Sequence, residues 1–151
     1  MIVASEVTCQ LSCLFMKVVG IIPARMASTR FPGKPLADIH GLSMVGHCYL
    51  RSRLCELLDE TYVATCDREI FDHIESIGGK AVMTANTHER ATDRTAEAVA
   101  KIEEETGERV DLVVMVQGDE PMVVPEMLEQ AITPMLEDES LRILNIIARI
   151  P

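Results

Sequence analysis

Short apolar runs alternate with amphipathic segments along this chain of 151 residues, and this alternation is the feature that most constrains its fold. Four runs have the length and apolar character of buried strands: residues 17–23, 61–65, 80–84 and 111–116. Apolar residues at three- and four-residue spacing predict four helices: residues 44–58, 68–77, 92–105 and 125–136. Strands that alternate with helices predict an α/β fold with a mostly parallel sheet.

The two later helices show the clearest periodicity. The helix over residues 92–105 is predicted to bury one apolar face: Ala96, Val99, Ala100 and Ile102. The helix over residues 125–136 opens at a proline and is predicted to bury another: Met127, Leu128, Ala131 and Ile132. A last apolar run covers residues 141–150.

Composition excludes several classes of protein. Hydrophobic residues make up 48% of the chain, which is enough for a packed core. Asp+Glu 24 against Lys+Arg 14 gives a formal net charge of −10, and aromatic residues are only 3%, so we expect no nucleic-acid partner. No apolar run approaches the roughly 20 residues of a membrane span. We therefore expect no membrane partner either.

Cysteine usage favours a cytoplasmic protein. The chain has five cysteines, an odd number with no C-x-x-C pair, which argues against a disulfide framework and a zinc site. Cys48 and Cys55 lie in an apolar stretch and are predicted to be buried free thiols. Met16-Lys17 resembles a natural start, so we expect residues 1–16 to be an N-terminal extension and residues 17–151 to be the domain.

The loop after the first predicted strand is basic, although the chain as a whole is acidic. Arg25, Arg30 and Lys34 fall within ten residues. Ser28 can donate a hydrogen bond to a phosphate oxygen, and Gly33 allows close approach of the backbone. The loop is not a Walker motif. Two interpretations stay open, namely a polyphosphate site and a solvated basic loop that balances the acidic surface.

Carboxylates follow two other predicted strands. Asp119 comes after the fourth strand, where it could hold Mg²⁺ or simply belong to a turn. Gln117 beside it could bond a sugar or a base, and Asp67 follows the second strand. Parallel α/β sheets bind ligands beyond the carboxyl ends of their strands, so these side chains are candidates for one site.

The helix over residues 92–105 begins with a polar group. Thr92 could cap the helix or contact a base. Asp93 and Arg94 could pair with each other or with a substrate. Capping is the simpler explanation of the first two residues.

Four short blocks stand in a fixed order: Ile22-Pro23-Ala24-Arg25-x-x-Ser28-x-Arg30-x-Pro32-Gly33-Lys34-Pro35-Leu36, Ala64-Thr65-x-Asp67, Thr92-Asp93-Arg94 and Val116-Gln117-Gly118-Asp119-Glu120-Pro121. Their order and spacing resemble the CMP-Kdo synthetase family, the 3-deoxy-manno-octulosonate cytidylyltransferases of lipopolysaccharide biosynthesis. The resemblance runs from residue 17 to about residue 150. It implies a three-layer α/β/α, nucleotide-diphospho-sugar transferase-like (Rossmann-like) fold, with CTP and Kdo as substrates and Mg²⁺ as the cofactor.

The resemblance also implies residue roles. The triphosphate would be held by three cations: Arg25, Arg30 and Lys34. The nucleotide or the sugar would be contacted by four further residues: Ala24, Ser28, Thr92 and Gln117. Asp119 would bind Mg²⁺ and act in catalysis with Arg25 and Lys34, and Asp67 would lie near the phosphates or the metal. The sugar's anomeric hydroxyl would attack the α-phosphorus of CTP and release pyrophosphate.

The chain departs from the family in two ways. Arg90-Ala91 stands where the family has Ser-Gly, which is expected to reshape the cytosine pocket. The family's chain also continues for roughly another hundred residues, with a second metal-binding aspartate and a His-x-Gly-x-Tyr sugar-binding segment. We therefore expect a domain truncated at its C-terminus, with exposed apolar surface that favours a homo-oligomer. Two alternatives remain: a non-catalytic nucleotide-binding or interaction domain, and a cytidylyltransferase for another acidic sugar.

Overall fold

The computed structural model describes residues 16–27 and 31–147. The strands, in chain order, are β1 (Val18–Ala24), β2 (Asp38–Ile39), β3 (Leu42–Ser43), β4 (Glu60–Thr65), β5 (Ala81–Met83) and β6 (Leu112–Met115). The α-helices are α1 (Met44–Ser52), α2 (Arg68–Ser76), α3 (Ala91–Thr106) and α4 (Pro125–Glu137). A short 3-10 helix occupies Lys34–Leu36. The predicted extension, residues 1–16, lies outside the described residues except for its last residue.

Four strands form a parallel sheet in the order β5-β4-β1-β6. β1 pairs in parallel with β4 on one side and with β6 on the other, and β4 pairs with β5. The three-layer α/β/α fold that the sequence predicts is confirmed, since helices pack on both faces of this sheet.

β1 supplies side chains to both cores because successive residues of a strand face opposite sides. Val18 and Ile22 pack into the larger core, with buried residues of α1, α2 and α4. Val19 and Ile21 pack into the smaller core, where α3 covers the sheet. All four side chains are at most 3% exposed. The strand is therefore buried on both faces, as its continuous apolar run predicts.

Two helices differ from their predictions. The helix predicted over residues 44–58 ends at Ser52, because the chain turns there to bury Cys55 and to bring Asp59 back to β1. The Asp59 carboxylate accepts a hydrogen bond from the Val18 amide at 2.7 Å. Helix α3 buries Ile102, as predicted, together with Thr95 and Ala98, whereas two other predicted inner residues are exposed: Ala96 and Ala100.

An antiparallel hairpin of β2 and β3 was not predicted. Its two turn residues, His40 and Gly41, have positive φ angles of 53° and 87°, which suits a tight two-residue turn. Ser43 then caps α1 by accepting a hydrogen bond from the Gly46 amide at 3.0 Å.

Strand β6 is less covered than its apolar sequence predicts. Val113 and Met115, on the α3 side of the sheet, are 38% and 37% exposed. The reason is that, among the described residues, α3 is the one helix on that face and lies mainly over the other three strands. Met127, predicted to point inward, is 41% exposed.

An apolar groove of about 1080 Å³ runs along β6, α4 and residues 139–147, and we call it the β6 groove. Residues 141–147 form neither helix nor strand.

The buried thiols are confirmed. Cys48 and Cys55 are free and 0% and 2% exposed, and burial raises the pKa of the Cys48 thiol to about 11. Among the described residues, none of the helices has the length and apolar character needed to cross a membrane.

Replacing Ile70 with alanine tests the larger core. This side chain of α2 is 0% exposed, so Ile70→Ala is expected to lower the free energy of unfolding by about 2–5 kcal/mol through a cavity. Leu54, 65% exposed and outside the β6 groove, provides the control, and Leu54→Ala should change stability by less than about 0.5 kcal/mol. Urea denaturation followed by circular dichroism measures both, and equal effects would contradict the packing described.

Candidate functional site

A cleft of about 420 Å³ opens at the carboxyl ends of the parallel strands. Three segments form it, namely the loop after β1 with the following 3-10 helix, the segment from the β5–α3 loop into α3, and the turn after β6. The lining residues are Pro23, Ala24, Arg25, Ala27, Lys34, Pro35, His88, Glu89, Arg90, Ala91, Arg94, Gln117, Gly118 and Asp119. Its volume lies within the range of small-molecule sites.

The structure brings together five of the nine residues predicted for the site: Ala24, Arg25, Lys34, Gln117 and Asp119. Ser28 and Arg30 lie outside the described residues. Thr92 and Asp67 are not among the residues that line the cleft. The shared location of the five follows from the parallel sheet, because β1 and β6 are neighbours and end at the same edge.

Lys34 and Asp119 face each other across the cleft. The Lys34 ammonium lies 2.6 Å from a carboxylate oxygen of Asp119, and the side chains are 35% and 52% exposed. An ion pair so open to water contributes little to stability. It can therefore separate at small cost when a ligand offers the lysine an anion and the aspartate a cation.

Asp67 holds the loop after β1. Its carboxylate accepts a hydrogen bond from the Met26 amide at 2.7 Å, across 41 residues of sequence. Its own amide donates to the Thr65 hydroxyl at 3.1 Å. Asp67 thus positions the backbone that carries Arg25, and its predicted place near phosphate or metal remains a prediction.

Gly118 lets the turn after β6 approach the loop after β1. A β-carbon built at this position would lie 2.8 Å from the backbone oxygen of Pro23. Two backbones this close leave no room for any other residue, which explains why the Gln117-Gly118-Asp119 turn contains glycine.

Arg94 lines the cleft but is not among the nine residues that the sequence predicts for the site. It is 3% exposed, and its Nη1 atom donates to the Thr84 hydroxyl and, at 3.4 Å, to the Ala85 carbonyl oxygen. Both acceptors are neutral. Among residues 16–27 and 31–147, no carboxylate forms an ion pair with it, so of the two alternatives that the sequence leaves open for Arg94, the pair with Asp93 is not formed. A buried guanidinium with neutral partners favours an anionic or strongly polar ligand.

The predicted cap of helix α3 is wrong. The helix begins at Ala91, one residue before Thr92, and its N-cap residue is Arg90, which makes no side-chain capping bond. Thr92 and Asp93 are exposed in the first turn. Arg90 and Ala91 instead line the cleft. The Thr-Asp-Arg motif was the available signal for Arg94, but periodicity alone could not show that this arginine is buried.

A carboxylate outside the cleft shapes one of its walls. Glu97, on α3, accepts hydrogen bonds from the Ala85 amide at 2.9 and 3.1 Å. Its other partners are the Lys101 ammonium at 2.8 Å and the His88 ring. The bond from Lys101, followed by that from the Ala85 amide, lowers the pKa of Glu97 from 4.5 to about 2. The Glu97 side chain therefore stays ionised at neutral pH.

The fold and the cleft define an α/β domain with a cationic ligand site at the carboxyl edge of its sheet. The sequence model of the cytidylyltransferase family matches residues 19–150, and the chain belongs to this family.

Curated relatives share nearly half of their aligned residues with this chain. The 3-deoxy-manno-octulosonate cytidylyltransferase of Geobacter metallireducens is 46% identical over 135 residues, which are 89% of this chain and 51% of the relative. The enzyme of the same name from Geotalea daltonii is 48% identical over 126 residues, 83% of this chain and 47% of the relative. The predicted resemblance is confirmed. The chain spans about half the length of these relatives.

Solved structures agree with this assignment. The structure of CMP:2-keto-3-deoxy-manno-octonic acid synthetase complexed with CTP matches with a TM-score of 0.77 and 42% sequence identity. The aligned residues are 83% of this chain and 49% of that synthetase chain. A 4-diphosphocytidyl-2C-methyl-D-erythritol synthase, at 19% identity and a TM-score of 0.60, shares the fold.

The depressed pKa of Glu97 predicts a pH-dependent contribution to stability. A carboxyl group with a lowered folded-state pKa stabilises the fold above its unfolded pKa, here 4.5, and loses that contribution as pH falls towards about 2. Glu97→Gln is therefore expected to be less stable than the unchanged chain at pH 6–7, and the difference should shrink below about pH 4.5 and disappear only as pH falls through about 2. Urea denaturation at several pH values measures it. A difference independent of pH would contradict the assignment.

Proposed function

We propose that this chain is the nucleotide-binding part of a CMP-Kdo synthetase, that it binds CTP in the cleft, and that it acts in the cytoplasm. A CMP-Kdo synthetase transfers CMP from CTP to the anomeric hydroxyl of Kdo and releases pyrophosphate. One observation carries the proposal: a chain with a net charge of −10 gathers Arg25, Lys34, Arg90 and Arg94 around one cleft. The resemblance to relatives of that name, one of them solved with CTP, supports it.

The loop after β1 and the 3-10 helix that follows it form the β1 side of the cleft, and their cations, Arg25 and Lys34, suit a triphosphate. Arg25 can bond two phosphate oxygens at once, and Lys34 adds a compact charge beside them. Catalysis of phosphoryl transfer depends mainly on position and on charge stabilisation, which these fixed cations supply. Arg30 and Ser28 are proposed to complete this group, as the family motif implies.

Asp119 is the proposed magnesium ligand. No cluster of three or more His, Cys, Asp or Glu side chains suited to a metal occurs among the described residues. A single carboxylate still fits Mg²⁺, because this ion commonly takes one or two protein carboxylates and completes its shell with phosphate oxygens and water. A bound Mg²⁺ would neutralise charge that develops on the phosphates.

The reaction joins the sugar oxygen to the α-phosphorus of CTP. The bond from that phosphorus to the pyrophosphate oxygen breaks, pyrophosphate leaves with the electron pair, and the hydroxyl proton passes to solvent. The role of Arg25 and Lys34 is to hold the phosphates in line and to stabilise the leaving charge. No side chain needs to form a covalent intermediate.

The β5–α3 loop and the start of α3 form the other wall of the cleft, and this wall is proposed to receive the nucleoside. Gln117 and Ala24 line the cleft where the neighbouring strands β6 and β1 end, and Arg90 and Ala91 line it from the start of α3. The bulk and charge of Arg90 in this wall make base selectivity a property to measure. Thr92 is exposed at the start of α3, and its proposed contact with the nucleotide requires a ligand that extends beyond the cleft.

A second candidate is a non-catalytic nucleotide-binding domain. The observation that favours it is the candidate metal site, which has the single carboxylate of Asp119, since the described residues contain no cluster of three or more metal-binding side chains. This candidate predicts binding of CTP without pyrophosphate release, whichever 2-keto sugar acid is supplied. The first candidate predicts release with Kdo.

Calorimetric titration with CTP, with and without Mg²⁺, is the central experiment. The unchanged chain is expected to bind CTP with Mg²⁺ and to prefer it over UTP and ATP. Lys34→Ala and Asp119→Asn are each expected to weaken binding by about tenfold to a hundredfold, the size of a lost charge-assisted contact.

Lys80→Ala provides the matched control. Lys80 forms an ion pair with Glu60 at 2.7 Å, similar to the Lys34–Asp119 pair, but neither residue lines the cleft. Its replacement should leave CTP binding unchanged. Equal losses from Lys34→Ala and Lys80→Ala, or no binding by the unchanged chain, would refute the proposed site.

The exposed β6 groove supports the proposal that this chain forms a homo-oligomer. Ile143, Ile147 and Met122 beside β6 are 79%, 88% and 75% exposed, and exposed apolar strands at sheet edges promote association. Analytical ultracentrifugation should show dimers or larger species whose population falls when Ile143 and Ile147 are both changed to serine. A monomer at all concentrations would contradict this expectation.

A further inference from the structure

The β5–α3 loop, residues 84–90, forms one wall of the cleft and has little regular structure of its own. His88, Glu89 and Arg90 from this loop line the cleft. The residues from Ala85 to Arg90 belong to no helix or strand. A loop of this kind keeps one conformation only where other parts of the fold hold it.

One side chain of α3 holds both parts of this loop. Glu97 accepts the Ala85 amide at the start of the loop and bonds the His88 ring in its middle. Glu97 itself does not line the cleft. It therefore acts on any ligand only through the residues that it positions.

Lys101 fixes the carboxylate in turn. Its ammonium lies 2.8 Å from Glu97 and donates at 2.7 Å to the Met83 carbonyl oxygen at the end of β5. The Glu97 side chain is 23% exposed, so water only partly screens these bonds. Strand β5, the loop and helix α3 are thus joined through one charged group.

The hydrogen bond between Glu97 and His88 also determines which nitrogen of the His88 ring carries the proton. An ionised carboxylate only accepts hydrogen bonds, so the proton shared with Glu97 must reside on Nε2 of His88. In the neutral imidazole this leaves Nδ1 as an acceptor. Glu97 therefore determines both the position of this ring and the hydrogen-bonding character of its second nitrogen.

We propose that Glu97 is a positioning residue that holds the β5–α3 loop as the nucleoside wall of the cleft. The proposal rests on the proposed function, because a triphosphate held by Arg25 and Lys34 directs the rest of the nucleotide towards the opposite wall. That wall consists of His88, Arg90 and the neighbouring lining residues. Loss of Glu97 would leave the phosphate side intact and release the nucleoside side.

Two ligands separate this role from general structural damage. Under this proposal CTP contacts both walls, whereas inorganic tripolyphosphate has no nucleoside and depends mainly on Arg25 and Lys34, the cations that Glu97 does not position. Glu97→Gln is expected to weaken CTP binding about tenfold, which corresponds to about 1.4 kcal/mol. Tripolyphosphate binding should change by less than about twofold, because the loop after β1 is untouched. Both titrations are made on the whole chain, well below the melting temperature of each variant.

Glu104→Gln is the matched control. Glu104 lies on the same helix, is exposed, and does not line the cleft, so its replacement should leave both affinities unchanged. Lys101→Met provides a second variant, expected to weaken CTP binding in the same direction as Glu97→Gln. Equal loss of both ligands in Glu97→Gln, or CTP binding equal to that of Glu104→Gln, would overturn the proposal.

Hydrogen exchange distinguishes failure of the inference from failure of the proposed function. Exchange at the Ala85 amide should be faster in Glu97→Gln than in the unchanged chain and should not change in Glu104→Gln. Unaltered Ala85 exchange would overturn the positioning role. If the unchanged chain binds tripolyphosphate but not CTP, the proposed function fails, and the inferred nucleoside wall is overturned with it.

Discussion

The structure depends on the double pairing of β1 at the centre of the sheet. β4 and β6 both bond to this strand, and its side chains enter two separate cores. Because β1 is paired on both sides and its side chains are buried on both faces, the direction of its carboxyl end is fixed to within a small range. The basic loop that follows therefore emerges at a defined place, directly beside the turn that carries Asp119.

Charge is distributed unevenly over this domain, and the cleft is the consequence. Acidic residues dominate the chain, yet cations from two segments converge at one edge of the sheet. Lys34 is balanced by an exposed aspartate, whereas Arg94 is buried with neutral partners. The first arrangement separates easily when a ligand arrives. The buried Arg94 favours binding of an anionic or polar ligand, since a buried charge without a counter-charge is unfavourable.

The two walls of the cleft are supported in different ways. The β1 side is held by the close approach of Gly118 to Pro23 and by the bond from Met26 to Asp67. The opposite wall relies on Glu97 and Lys101. Beyond the cleft, the β6 groove shows an apolar surface that the described residues leave open. The domain thus combines a well-supported ligand site with an incompletely covered sheet.

Much of this organisation was predictable from sequence because it depends on local pattern. The strands have short apolar runs, Pro125 opens α4, and Gly107 ends α3, so element types and order followed directly. The shared location of Lys34 and Asp119 followed from the rule that parallel strands end at one edge. The early end of α1 at Ser52 did not, because it results from the bond between Asp59 and Val18, which are 41 residues apart.

The sequence by itself determined the α/β class, the membership of the cytidylyltransferase family and five of the cleft residues, since each depends on motifs or on neighbours in the chain. Only the tertiary structure decided that Arg94 is buried, that Thr92 is not a cap, that Glu97 holds the β5–α3 loop, and that β6 is half exposed. Helical periodicity leaves the exact buried face uncertain by one residue in either direction. Which face is buried depends on what packs against the helix or strand, and that is a property of the assembled fold.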